Sequence, residues 1–172
     1  MRGDALTNFD GITYGKGASV LKQLPYYLGE ENFRIGVSNY LKKFSYKNTD
    51  LDDFIGELGK AAGKDMSQWT QDWLYNAGLN TIKVNYQCTD GKVASFSIDQ
   101  TAPEGYPTLR EQRVQIGMYN VVGDTMTLTK ATPVIYKGAK TVINEVVGQT
   151  CPDLVYPNEA DWGYVKVDLD EA

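Results

Sequence analysis

The hydrophobic period of this 172-residue chain changes once, just after Gly78, and no other feature constrains its fold so tightly. Before that point apolar residues recur about every 3.6 positions, the spacing of a helix face; after it they alternate with a period of two, the spacing of a strand. The change predicts a helical part over residues 1–79 and a β part over residues 80–172.

In the first part each helical segment carries start and stop signals. Tyr14, Ala18, Leu21 and Leu28 predict one face of a first helix, which Pro25 should kink or interrupt before Gly29 closes it. Phe33, Val37, Tyr40, Leu41 and Phe44 predict a second, with Glu30 and Glu31 in its first turn and Lys42 and Lys43 in its last, as the helix dipole favours. A third should open on Asn48 or Thr49 as N-cap with Asp52 as the reciprocal acid, bury Leu51, Phe54, Ile55 and Leu58, and end at Gly63. Asp65 can cap a fourth that carries Met66, Trp69, Trp73, Leu74 and Ala77 and stops at Gly78. Short turns between them predict a packed helical subdomain.

In the second part Ile82, Val84, Tyr86 and Cys88 alternate up to an Asp90-Gly91 turn, and Ala94, Phe96 and Ile98 return from it, which predicts a hairpin. Further strands are expected at Val114 to Met118, at Met126 and Leu128, at Val134 and Tyr136, from Val142 to Val147, and from Tyr164 to Leu169. About seven strands without intervening helices point to an antiparallel sandwich of immunoglobulin-like size. The fold class expected is therefore an α+β chain, helices first and sandwich second.

Composition narrows the chemistry. The net charge of −5 comes from dispersed acids and leaves no basic stripe, which excludes nucleic acid as a partner. No apolar run is long enough to span a bilayer and residues 1–10 lack the apolar core of a signal peptide, so no membrane partner and a cytoplasmic location are expected. Histidine is absent, so serine and cysteine triads lack their usual base. Asp50, Asp52, Asp53 and Glu57 cluster at one helix start, where stabilising the dipole accounts for them without a metal. Cys88 and Cys151 lie outside any C-x-x-C pattern; two ordinary thiols are expected, a disulfide being the lesser alternative.

Gly15-Lys16-Gly17 departs from the phosphate-loop pattern, because Gly17 follows the lysine and position 10 is Asp10, so nucleotide binding is rejected. Two glycines beside Tyr14 suggest a backbone that approaches something closely, and a tyrosine phenol, protonated at neutral pH, can donate to a developing oxyanion.

The run Phe9-Asp10-Gly11-Ile12-Thr13-Tyr14-Gly15-Lys16-Gly17-Ala18-Ser19-Val20-Leu21 resembles the Y-x-K-G-A-x-V-[LI] motif of the aminopeptidase N (membrane alanyl aminopeptidase) family of zinc metallopeptidases, gluzincins with a thermolysin-like catalytic domain. Further likenesses follow in order. Leu28-Gly29-Glu30-Glu31-Asn32-Phe33-Arg34 with Tyr40-Leu41 resembles the family's L-G-E-x-x-F-R helix, and Asp50-Leu51 and Trp73 to Gly78 resemble the last helices of its catalytic domain. Gln100-Thr101-Ala102-Pro103, Leu109-Arg110 and Asp153 to Tyr164 are similar to its β-sandwich domain, while Asn80 stands where many members have proline.

The resemblance implies that Tyr14 is the catalytic residue that stabilises the tetrahedral intermediate while zinc-bound water attacks the scissile carbonyl. Lys16, Gly17 and Ala18 would take positioning and packing roles. The sandwich would link the catalytic domain to further domains. The family's H-E-x-x-H helix, its third zinc ligand and its G-x-M-E-N segment are not in this sequence. The resemblance therefore implies an excised fragment, inactive alone, binding no zinc itself, of a parent that removes N-terminal residues from peptides with zinc as cofactor. Its partners would be peptide substrates and the missing N-terminal and C-terminal domains. The competing expectation is a non-catalytic peptide- or carbohydrate-binding sandwich with a helical docking platform, using exposed aromatics among Tyr106, Tyr119, Tyr136, Tyr156, Trp162 and Tyr164.

Overall fold

The computed structural model describes residues 14–169; residues 1–13, which include the start of the tyrosine motif and the leader expectation, and residues 170–172 lie outside them. The chain divides into two compact units, Met1–Asn76 and Ala77–Ala172. The first is helical and the second is built of two sheets, as the change of period predicts.

In the helical unit, residues 14–16 are wound as π-helix and lead into α1, Gly17–Leu28. The buried face of α1 is Val20, Leu24 and Leu28, at i, i+4 and i+8, and not the predicted Tyr14, Ala18 and Leu21; Leu21 is 54% exposed. Apolar residues occupy adjacent faces here, so periodicity fixes the helix but leaves its phase open. Pro25 lies inside α1 and does not interrupt it. The residue four back, whose carbonyl loses its donor to the proline ring, is the exposed Leu21, where water can replace the missing N–H. Gly29, at φ +88°, ends the helix as expected.

Helix α2, Glu30–Lys43, carries the predicted acids and lysines at its two ends. Its one fully buried residue is Gly36, where an added Cβ would lie 2.9 Å from the Leu58 Cα of the next helix. The helices meet there, and Tyr40 adds an edge contact to Phe54 at 5.2 Å between ring centres. The expected stripe member Leu41 is instead 61% exposed.

Helix α3, Leu51–Ala62, opens on a capping box one residue later than predicted. Asp50 is the N-cap, accepting from the Asp53 N–H, and Asp53 accepts from the Asp50 N–H. The predicted pair of Thr49 and Asp52 plays no such part; Thr49 bonds the Tyr40 hydroxyl. Ile55 and Leu58 are buried, Leu51 is exposed, and Gly63 ends the helix in the left-handed conformation. Asp65 then accepts from the N–H and hydroxyl of Ser67, starting the short α4, Ser67–Thr70, which continues as a π-helix over Gln71–Tyr75. Met66, Trp69 and Trp73 are buried while Leu74 is exposed. The helix stops at Tyr75 rather than Gly78, since Asn76 is already extended.

In the second unit β1, Thr81–Thr89, and β2, Lys92–Thr101, form the predicted hairpin, with Asp90 and Gly91 both at positive φ as a two-residue turn of this hand requires. A bulge after Gln87 pairs Cys88 with Val93, so Val93 enters the core and the predicted Ala94 does not. Strand β3, Gln112–Val122, buries Val114, Ile116 and Met118 as expected. Strand β4, Thr125–Tyr136, is continuous through Pro133, which its edge position permits. Its Met126 and Leu128 are exposed, and its far end buries Val134 and Tyr136.

The predicted strand from Val142 to Val147 reduces to β5, Lys140–Val142, after which Ile143, just past the strand, and Val146, in a turn, enter the core. Leu154–Tyr156 is an additional strand, β6, and the last, β7, spans only Lys166–Asp168. The sheets run β5-β2-β1-β7 and β4-β3-β6, and residues of both fill one core around Ile82, Phe96, Ile98, Val114, Ile116 and Tyr136. The sandwich is not wholly antiparallel, because β7 pairs with β1 in parallel, Thr81 facing Lys166. Cys88 and Cys151 are joined in a disulfide, contrary to the expected thiols, with Cα atoms 5.9 Å apart. The bulge at Cys88 and a pairing of Lys92 with Thr150 bring the two together, a coincidence of loop and strand that residue spacing does not encode.

Candidate active site

Tyr14 stands at the head of α1 and is 59% exposed. Its backbone belongs to the π-wound turn, a geometry that recurs at functional sites. Gly15 and Gly17 follow on either side of Lys16, and a Cβ added at either would meet nothing within 4 Å. The close approach predicted for these glycines is therefore not made to any described residue.

Side-chain bonds to described residues help hold that turn. Ser19 Oγ donates to the Gly15 carbonyl at 3.0 Å, and Lys16 Nζ donates to the Asn76 carbonyl at 3.4 Å. Asn76 is itself fixed by Gln71, whose carbonyl accepts from the Asn76 N–H at 3.0 Å and whose side-chain amide donates to Asn76 Oδ1 at 3.3 Å. The lysine thus meets the carbonyl-rich end of the π-helix Gln71–Tyr75, where a cation is favoured. A cleft of about 730 Å³ lies elsewhere in the helical unit, lined by Gly56, Lys60, Lys64, Thr70 and Tyr75, and Tyr14 is not among its walls.

The acids at the start of α3 are occupied within the fold. Asp50 and Asp53 close the capping box. Glu57, buried in the face toward α2, accepts from Lys43 at 2.7 Å and Lys60 at 2.8 Å, and first Lys43, then Lys60, hold its carboxyl below the ordinary range. Among the described residues no three His, Cys, Asp or Glu side chains are placed to share a metal ion, and the chain has no histidine. A resident zinc ion does not fit these residues, and the chemistry available at Tyr14 is that of its own phenol.

The aromatic residues of the second unit divide. Tyr136 is core, 1% exposed, while Tyr106 is exposed and closes over Gly78, where an added Cβ would lie 2.5 Å from the Tyr106 Cβ. Tyr119 donates to Glu159 beside Gly117, which has room for both because it lacks a side chain. That hydrogen bond, then burial, pushes the Tyr119 phenol up to about 12. Arg110, 1% exposed, donates to Asn80 Oδ1 at 3.1 Å and the Ala77 carbonyl at 3.0 Å, while Asn80 donates to the carbonyls of Thr101 and Thr108. Asparagine at position 80 supplies bonds that a proline could not.

Sequence reasoning singled out Tyr14 and Lys16 but not Asn76 or Gln71, whose parts arise from the shape of a helix end sixty residues away in sequence. No described helix is long and apolar enough to cross a membrane.

Residues 2–73 match the peptidase family M1 domain. Over 98% of its length the chain is 41% identical to an aminopeptidase N of Streptomyces lividans, of which it covers 20%. Over 45% of its length it is 47% identical to a leucyl aminopeptidase of Saccharolobus solfataricus, covering 10% of that protein. The chain thus spans a fifth or less of these relatives. Its fold is similar to that of Legionella pneumophila aminopeptidase A, solved in complex with aspartic acid, with a TM-score of 0.74 at 17% identity over 95% of this chain and 18% of the other.

Proposed function

The chain belongs to the aminopeptidase N family of M1 peptidases, and from that premise we propose that it is the part of such an enzyme that brings one tyrosine to the reaction. The parent hydrolyses N-terminal residues from peptides, is zinc-dependent and is of the alanyl aminopeptidase type, with the ion and the general base held outside these 172 residues. The other domains of the same polypeptide are this part's partners. Tyr14 donates its phenolic proton as a hydrogen bond to the oxygen that gains charge when the scissile carbonyl is attacked. Supporting this is its place at an open helix head, 59% exposed, on a turn restrained through Lys16 and Ser19.

In the complete enzyme, Tyr14→Phe should lower kcat about 10²–10³-fold, the scale for one lost oxyanion donor, with KM little changed. An unchanged kcat removes Tyr14 from the mechanism. The 172-residue chain alone should not hydrolyse an aminoacyl anilide in the presence of zinc, and turnover proportional to its concentration would end the proposal. The Cys88–Cys151 disulfide favours an oxidising compartment over the cytoplasm that sequence alone suggested.

A further inference from the structure

We propose that the cleft of the helical unit is an exosite that holds the distal part of a peptide substrate as an extended chain; this rests on the reading of the parent as an aminopeptidase that acts at Tyr14. The cleft, about 730 Å³, has one face of α3 as its first wall and the segment of α4 and the π-helix as its second. Along α3 and its cap the lining positions Asp52, Gly56, Gly59 and Gly63 fall at i, i+4, i+7 and i+11, a single stripe of the helix. Gly56 and Gly63 leave that stripe bare, since a Cβ added at either would meet nothing within 4 Å. The helical rise from Asp52 to Gly63 gives a trough about 16 Å long, the span of roughly five extended residues.

Bare glycine lets another backbone come close, and the opposite wall offers that backbone a bond. Thr70 lines the cleft, is 9% exposed, and its hydroxyl is buried without a hydrogen-bond partner. A buried hydroxyl left unpaired is destabilising, and a polar group arriving from outside these residues would remove the penalty. An extended chain has free N–H and C=O groups to offer it, whereas the main chain of a helix is already bonded to itself. The occupant is therefore an extended peptide and not a further helix.

One wall of the cleft runs up to the candidate active site. Gln71 and Tyr75 belong to that wall, and Gln71 holds Asn76, whose carbonyl accepts from Lys16 Nζ at 3.4 Å. Tyr14 is two residues from that lysine. A peptide with its scissile bond at Tyr14 therefore needs roughly three to four residues to reach the cleft and about five to fill it, a total of about eight to ten. Contacts to bare glycine and to one hydroxyl fall on the peptide's main chain, so the cleft reads length and not sequence.

The test uses the complete enzyme with an aminoacyl anilide and a series of peptides, from dipeptide to dodecapeptide, that share one N-terminal residue. In the wild type KM should fall about 10-fold between tripeptide and decapeptide with kcat unchanged, the pattern of binding that is equal in ground and transition states. Gly56→Leu fills the trough and should remove that fall, lowering the ratio of decapeptide to anilide kcat/KM about 10-fold, and Thr70→Val should lower the same ratio about 5-fold. A decapeptide with a benzophenone near its C-terminus should label the wild-type enzyme within residues 52–75, a measurement that stands whether or not Gly56→Leu folds. A KM that does not vary with length, or a length effect that Gly56→Leu leaves intact, overturns the exosite, while anilide turnover keeps the aminopeptidase reading. Labelling outside residues 52–75 overturns it as well. A Gly56→Leu enzyme that melts lower or fails to fold, with the wild-type cleft unlabelled, shows a segment of the parent or a second copy seated there and also overturns it. A complete enzyme that turns over neither anilide nor peptide overturns the reading on which the exosite rests.

Discussion

Replacing both cysteines by alanine should destabilise the second unit by about 4 kcal/mol without changing its native structure. The bridge closes a loop of 63 residues, and the chain-entropy relation gives about 14 cal/mol/K for a loop of that size, or about 4 kcal/mol at 25 °C. Little is lost from the folded side. Cys88 is exposed and Cys151 half-buried, and the segment before Cys151 stays docked by backbone bonds from Val93 to Gln149, Gly148 to Val93 and Cys151 to Gly91. The effect therefore falls on the unfolded ensemble, which becomes larger once the loop is open. For a unit of roughly 100 residues, 4 kcal/mol corresponds to a fall of about 20 °C in Tm. Urea unfolding of the oxidised chain and of Cys88→Ala/Cys151→Ala, followed by far-ultraviolet circular dichroism, should show a lower midpoint and a slightly steeper slope for the variant. A loss below 1 kcal/mol, or two thiols freely alkylated in the folded oxidised protein, would refute the loop-entropy account.

Two glycines on facing helices should respond with opposite sign. Gly36→Ala places a Cβ 2.9 Å from backbone at Leu58 and should cost about 1–2 kcal/mol net of the helix propensity gained, whereas Gly56→Ala meets nothing within 4 Å and should stabilise by up to about 1 kcal/mol, both read by thermal unfolding. The raised Tyr119 phenol gives a sign at alkaline pH. Its folded value of about 12 exceeds the ordinary 10.0, so the folded chain holds this proton more tightly, the contribution is full below pH 10, and it is lost as pH rises through about 12. Tyr119→Phe should flatten the fall in urea midpoint over that range, and an unchanged slope would contradict the Glu159 bond as its cause.

What the sequence makes legible follows from how local each cause is. The change of period at Gly78, the Asp90-Gly91 turn, the Gly29 and Gly63 stops and the Val114-Ile116-Met118 face all depend on neighbouring residues, and the fold has them. Causes that lie across the fold are not legible. The bulge that exchanges Ala94 for Val93, the phase of α1, the parallel pairing of β7 and the disulfide each depend on what arrives from far along the chain. The candidate site divides in the same way. Tyr14 stands out through its motif, but the fixed point that Lys16 reaches is a helix-end carbonyl, and every residue type carries one of those.

The parallel register of Thr81 with Lys166 also sets an order of events on the ribosome. The hairpin of β1 and β2 can close as soon as it emerges, yet one side of β1 must wait for a strand made roughly 80 residues later, on the order of 4–16 s at ordinary elongation speeds. Throughout that interval the nascent chain carries an open strand edge able to pair with the wrong partner. Nascent chains halted before Lys166 should therefore be the ones that most need a chaperone, although they already contain nearly all the residues of the core.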